Sequence, residues 1–168
     1  AKELGCENTH FANPHGFHDP DHYTTPYDIT LFMKAAMEYD LFQKIVTSPN
    51  YTIPATNLSE QRTVHNTNAL TSNWTYTGYL YAPGTGGKTG STDEAGKCLV
   101  ETAKKGDTYL ISVVMGEPEK VTLADGTEVV AQFYDTIQLL NWGFENFQRT
   151  VISEDSEVVA KVNVTLST

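Results

Sequence analysis

Tyr81-Ala-Pro-Gly-Thr-Gly-Gly-Lys-Thr-Gly-Ser-Thr-Asp-Glu-Ala-Gly-Lys97 is the stretch on which the reading of this chain turns. Lys88-Thr89-Gly90 stands at its centre, approached through glycines and followed by the apolar, strand-like run Cys98-Leu-Val100. Ala95 to Ala103 and Thr108 to Gly116 read as two strands, joined by Lys104-Lys-Gly-Asp107 with glycine placed for a turn. Leu110, Ile111, Val113, Val114 and Met115 form a near-continuous apolar run, as in a central strand covered on both faces.

Upstream, residues 1–23 are rich in His, Asn, Asp, Pro and Gly and read as loop. The opening Ala1-Lys-Glu-Leu-Gly-Cys6 reads as the end of a helix already under way, with no signal peptide. Thr25 can cap a helix, Pro26 suits its first turn, and Asp28 favours its N-terminus. Ile29, Phe32, Met33 and Ala36 repeat at helical spacing, so this helix is expected to run to about Tyr39. Asp40 is expected to cap a second helix, Leu41 to about Thr47, which Pro49 ends. Tyr51 to Ala55 reads as a short edge strand, because Pro54 cannot donate to a ladder. Residues 56–83 are polar without a strong period.

Downstream, residues 117–128 read as a polar connection with a tight turn at Asp125-Gly126. A last helix is expected from about Val130 to Phe144, with Phe133, Ile137, Leu140 and Phe144 on one stripe. Beyond Arg149, Val151-Ile152, Glu157-Val-Val-Ala160 and Val162-Asn-Val-Thr165 read as the first strands of a separate β-module.

The 168 residues, 39% apolar and 19% charged, suit one folded domain with a real core. No run approaches the length of a membrane span. A net charge of -10 argues against nucleic acid as a partner and against electrostatic docking on anionic lipid. Cys6 and Cys98 allow at most one disulfide and match no metal or redox spacing; each reads as a small apolar residue, and the redox compartment stays open. His10, His15, His18 and His22 crowd together beside Asp19 and Asp21. Pro14, Gly16 and Pro20 break that segment, so no helical i, i+4 metal pair forms, and the histidines are expected to tie the loop together. No metal or other cofactor is expected. Ser48-Pro49-Asn50 spells S-x-N only by coincidence, and the aromatic run Trp74 to Tyr81 reads as packing beneath the approach to Lys88.

The Lys88-Thr89-Gly90 context resembles the third active-site motif of the penicillin-binding protein and serine β-lactamase superfamily. More narrowly, the chain is similar to the D-alanyl-D-alanine carboxypeptidases, the low-molecular-mass penicillin-binding proteins. Asn8-Thr-His-Phe-Ala-Asn-Pro-His-Gly-Phe-His18 resembles that family's T-x-F-x-N-P-x-G-L-H stretch. His22-Tyr-Thr-Thr-Pro-Tyr-Asp28, Tyr51 to Asn57, His65-Asn-Thr-Asn-Ala-Leu70 and Leu139-Leu-Asn-Trp-Gly-Phe144 follow in the family's order. The family also carries S-x-x-K and S-x-N upstream of K-T-G; this chain has no S-x-x-K.

The resemblance implies an α+β fold, a central antiparallel sheet with helices on both sides, of which residues 1–149 form the C-terminal part. Residues 150–168 would be a linker and the first strands of a truncated β-module. It implies a serine-type carboxypeptidase that removes the terminal D-alanine of a peptidoglycan stem peptide through an acyl-enzyme, in the bacterial envelope outside the cytoplasmic membrane. Lys88 and the Thr89 hydroxyl would receive the substrate's carboxylate, Gly90 would leave room for it, and the Ser91 N–H would serve the oxyanion hole. No catalytic nucleophile is expected in this chain, which alone would be inactive. Its partners would be stem peptides ending in D-Ala-D-Ala, β-lactam antibiotics and its own N-terminal half. Two departures stand out: Thr67 where relatives often carry arginine, and Gln132 where a basic residue is frequent. A serine β-lactamase fragment and a non-catalytic peptidoglycan-binding module are the alternatives.

Overall fold

The computed structural model describes residues 1–150. The β-module expected from Thr150 onward falls on residues 151–168, outside that range.

The frame is a three-stranded antiparallel meander, β3 (Gly84–Thr92), β4 (Gly96–Lys105) and β5 (Thr108–Glu117), in the order β3-β4-β5. The β4–β5 pair closes at Lys105↔Thr108 around Gly106-Asp107, with Gly106 in the left-handed region that suits a tight hairpin. Directly opposed residues share a face, so Leu99, Glu101 and Ala103 of β4 look the same way as Val114, Ser112 and Leu110 of β5. Helix α3 (Ala131–Asn146) covers that face, with Gly143 brought against Leu110. The other face, which carries Ile111, meets Lys34 and Met37 of the α1 region (α1, Pro26–Ala36). Helix α2 (Asp40–Thr47) packs on β3. Burial on both sides explains the near-continuous apolar run of β5, whose one charged residue is the terminal Glu117, and the fold is the α+β sandwich that the sequence implied.

The core joins Leu99 to Ala69, Leu70, Val130 and Phe133, with Tyr76, Tyr79 and Tyr81 packed against it. The aromatic run therefore packs, as expected, except that Trp74 is exposed and stacks on His65 at 3.6 Å. The Tyr79 hydroxyl accepts the Val130 N–H at 2.7 Å, and the Tyr81 hydroxyl donates to Asn141 at 2.8 Å.

Helix α1 begins as expected: the Thr25 hydroxyl accepts the Asp28 N–H, and Pro26 fills the first turn. It ends at Ala36, a turn earlier than its periodicity suggests. Asp40 is the first residue of α2; Tyr39 precedes it as the cap and makes no side-chain bond. Asp28 is buried and takes hydrogen bonds from the Asn8 N–H and the Thr9 hydroxyl. The Thr9 bond, opposed by desolvation, leads in holding its carboxyl below the usual range. This one side chain ties residues 8–9 to α1. Ala1 to Cys6 makes a short 3₁₀ turn, Lys2–Leu4, closed by Gly5.

Two small ladders lie in the polar stretches; of their strands only β1 was expected, as the edge strand Tyr51 to Ala55. β1 (Asn50–Ile53), stopping before Pro54, pairs with β2 (Arg62–His65). β6 (Lys120–Thr122) pairs with β7 (Glu128–Val130) around the expected Asp125-Gly126 turn. Among the described residues no helix is long and apolar enough to cross a membrane.

Candidate active site

Among the described residues β3 pairs only with β4, and its other edge carries no strand. Its register sets Lys88 opposite Val100, Thr89 opposite Leu99, Gly90 opposite Cys98 and Ser91 opposite Lys97. Side chains alternate across a strand, so Lys88 leaves on the opposite face from Gly87 and Thr89. Lys88, Gly90 and Ser91 are exposed, and Thr89 is half-buried. All four residues expected in the site therefore lie on one run of open edge strand.

The two halves of β3 differ in kind. Gly86 and Gly87 are buried where a side chain cannot fit. A Cβ at Gly86 would press on Val46 of α2, and one at Gly87 would collide with the Val100 carbonyl and a Glu101 oxygen. At Gly90, by contrast, a Cβ would meet no atom of the described residues within 4 Å beyond its own chain neighbours. The inner glycines serve packing; Gly90 is free of any demand from the chain itself.

Lys88 Nζ donates to the Thr89 carbonyl oxygen and joins no ion pair among the described residues. The Thr89 hydroxyl meets the Thr67 hydroxyl at 2.6 Å. Thr67 is set by its neighbours. Asn66 Nδ2 donates to the Val46 and Ser48 carbonyls, and its Oδ1 accepts the Asn68 N–H. Asn68 Oδ1 accepts the Leu70 N–H, and its Nδ2 donates to Glu101 at 2.6 Å. Glu101 is fully buried on β4, and its other oxygen accepts the Gly86 N–H at 3.2 Å. Burial pushes this carboxyl up to about 7, while the bonds from Asn68 and Gly86 act the other way.

The turn between β3 and β4 brings Glu94 within 3.8 Å of His18, joining the N-terminal loop to the end of this strand. His10, His15 and His22 bond to loop backbone, in keeping with a tying role. Gln132 is buried at the start of α3 and its Oε1 lacks a partner. Cys6 and Cys98 are both free thiols.

The sequence singled out Lys88, Thr89, Gly90 and Ser91, and noted Thr67 only as a departure. It missed Asn68 and Glu101. A lone acid in the apolar strand Leu99-Val-Glu-Thr-Ala103, beside a glycine pair, was the available signal.

A family model described as D-alanyl-D-alanine carboxypeptidase matches residues 1–119. A D-alanyl-D-alanine carboxypeptidase of Bacillus subtilis, DacF, is 32% identical over 166 residues, which are 98% of this chain and 38% of the relative. The crystal structure of a Streptomyces DD-transpeptidase aligns with a TM-score of 0.70 at 31% identity, over 86% of this chain and 50% of that one. A D-alanyl-D-alanine carboxypeptidase structure from Mycobacterium tuberculosis gives 0.69 at 26% identity, again over 86% of this chain and 50% of that one. The chain thus spans 38% of the Bacillus relative and half of each solved chain.

Proposed function

Because the chain belongs to the D-alanyl-D-alanine carboxypeptidase family, we propose that it forms the substrate-binding wall of a serine-type D-Ala-D-Ala carboxypeptidase of the bacterial envelope. The observation that carries this reading is the edge of β3 left unpaired among the described residues, where Lys88, Thr89, Gly90 and Ser91 stand in sequence with Lys88, Gly90 and Ser91 exposed.

The substrate is a peptidoglycan stem peptide ending in D-Ala-D-Ala. Its terminal carboxylate needs a fixed cation and a hydroxyl donor, which Lys88 and Thr89 supply. Thr67 sharpens the second role. When the Thr67 hydroxyl donates to the Thr89 oxygen, the Thr89 proton is left free for the carboxylate. The missing Cβ at Gly90 lets the peptide lie against the strand. The Ser91 N–H stabilises the oxyanion as the carbonyl becomes tetrahedral.

The chain has no S-x-x-K, so the nucleophile comes from residues outside these 168. That serine's oxygen bonds to the carbonyl carbon between the two D-alanines. The amide C–N bond breaks, and the terminal D-alanine leaves with a proton on its nitrogen. Water then cleaves the ester and returns the serine. A β-lactam acylates the same serine when its ring amide opens, and its carboxylate takes the place of the peptide's on Lys88 and Thr89.

The test is to purify the native protein that contains this chain, label it with a fluorescent penicillin and run a denaturing gel. Covalent label that unlabelled penicillin competes away supports the reading. A native protein that takes no label, yet retains peptidoglycan, is the binding module instead. Rapid turnover of the label marks a β-lactamase.

A further inference from the structure

We propose that Glu101 is a positioning residue for the substrate wall: through Asn68 and the Gly86 amide it holds the 66–68 turn and β3 in one geometry, and so sets where Thr67 meets Thr89. This rests on the reading of Lys88–Ser91 as that wall.

A carboxylate with no exposure is costly unless it is bonded, and two distant groups bond this one. Oε1 accepts the Gly86 N–H, 15 residues away, and Oε2 accepts Asn68 Nδ2, 33 residues away. Gly87 lies opposite Glu101 in the register, and its missing side chain makes the room the carboxylate fills. Thr67 is thus pinned on both sides. Asn66 is anchored to the end of α2, and Asn68 is anchored to Glu101. From that fixed turn Thr67 reaches Thr89.

The surroundings make the hold sensitive to protonation. Gly86 and Gly87 face Glu101 from β3, Asn68 from the turn, and Ser112 from β5. Over the same face of the sheet, α3 buries Gln132 and Thr136. Tyr81, beside Gly84, is the titratable neighbour; its hydroxyl is bonded to Asn141, and burial raises it further from neutrality. Among the described residues no charged group contributes to the titration of Glu101, which falls near neutral pH. The ionised carboxylate gives Asn68 a charge-assisted bond. The protonated form weakens that bond and gains an O–H to place. Ser112 Oγ, opposite on β5, is a buried hydroxyl with no partner and can accept it. Protonation therefore shifts Glu101 from the turn toward β5 and loosens Thr67.

The experiment follows the Glu101 carboxyl by carbon-detected NMR in the full chain, together with the Thr67 and Thr89 amides, from about pH 5 to about pH 9. Both amides are expected to move with the Glu101 midpoint, and Glu101→Gln is expected to remove that midpoint from both. The same variant separates the effect of Glu101 from that of any other group in the chain. Amides that stay flat while Glu101 titrates overturn the proposal. Should Glu101→Gln fail to fold, Asn68→Ser tests the link from its other end: Glu101 still titrates, and Thr67 and Thr89 no longer follow it. Amides that still follow it in Asn68→Ser also overturn the proposal. In the native protein, penicillin acylation is expected to fall about tenfold on acidification through the midpoint, with a flat profile in Glu101→Gln. A native protein that takes up no penicillin removes the substrate-wall reading, while the NMR titration still decides the coupling.

Discussion

Lys88 and Glu101 are the two residues whose charge matters most, and their settings are opposite. Lys88 is exposed on an open edge; Glu101 is sealed behind the same strand. Replacing Lys88 with alanine removes the exposed cation proposed to face the substrate carboxylate and touches nothing in the core. It should lower penicillin acylation of the native protein about 100-fold with the melting temperature unchanged, as stopped-flow acylation and calorimetry would read. For Glu101 the sign of the pH effect follows from linkage. Its carboxyl titrates near 7 when folded, against 4.5 unfolded, so the folded state binds the proton more tightly. The stability this group contributes is full below about 4.5 and is lost as pH rises through about 7, a change of about 3 kcal/mol. Chemical denaturation across that window should show the slope in the wild type and its loss in Glu101→Gln. Above neutrality the fold as a whole is then weaker while the Asn68 bond is stronger, which separates positioning from packing. Lys88 was legible in the sequence because its motif is local. Glu101 was not, because what defines it is a glycine across the ladder and an asparagine 33 residues away.

At the scale of elements, β3 is two half-strands joined end to end. Gly86 and Gly87 let α2 and β4 approach; Lys88, Gly90 and Ser91 are exposed, with Thr89 half-buried against Thr67. Gly87→Ala forces a Cβ onto the Val100 carbonyl and Glu101, neither of which can move without breaking the ladder or the Asn68 bond. A loss of about 3 kcal/mol is expected, read as a lower denaturant midpoint. Gly90→Ala, which meets nothing in the chain, should leave stability nearly unchanged and slow acylation. Elements with a long period were readable: α1 from Thr25 and Pro26, α3 from Phe133 and Leu140, β4 and β5 from their apolar runs. β2, β6 and β7 were not. Each has only three or four residues, and their pairing is fixed by tertiary neighbours rather than by pattern. Asp40 misled for a related reason. Acids favour both the cap and the first turn, and only the backbone distinguishes them.

For the molecule as a whole, the net charge of -10 sets a background of self-repulsion in which the cation Lys88 is an exception. Salt screens that repulsion, so the melting temperature of the chain should rise by roughly a few degrees between about 10 mM and about 150 mM sodium chloride. A fall would mean that attractive pairs such as Lys120–Glu128 outweigh the net charge. The three layers were legible as a resemblance carried by several segments in order. The close approach of α2 to β3 was not, since it depends on Val46 filling the space above Gly86. That approach has a pharmacological consequence. On the proposed reading, a β-lactam would compete with substrate for Lys88 and Thr89, so its target would have to stay available to the natural peptide. Leu41 and Ile45 leave α2 with a solvent-facing apolar side. A compound wedged there to draw Val46 off Gly86 would deform the strand from behind. If Lys88–Ser91 is the substrate wall proposed above, such an inhibitor would be non-competitive, and changes along that edge would give no direct escape from it.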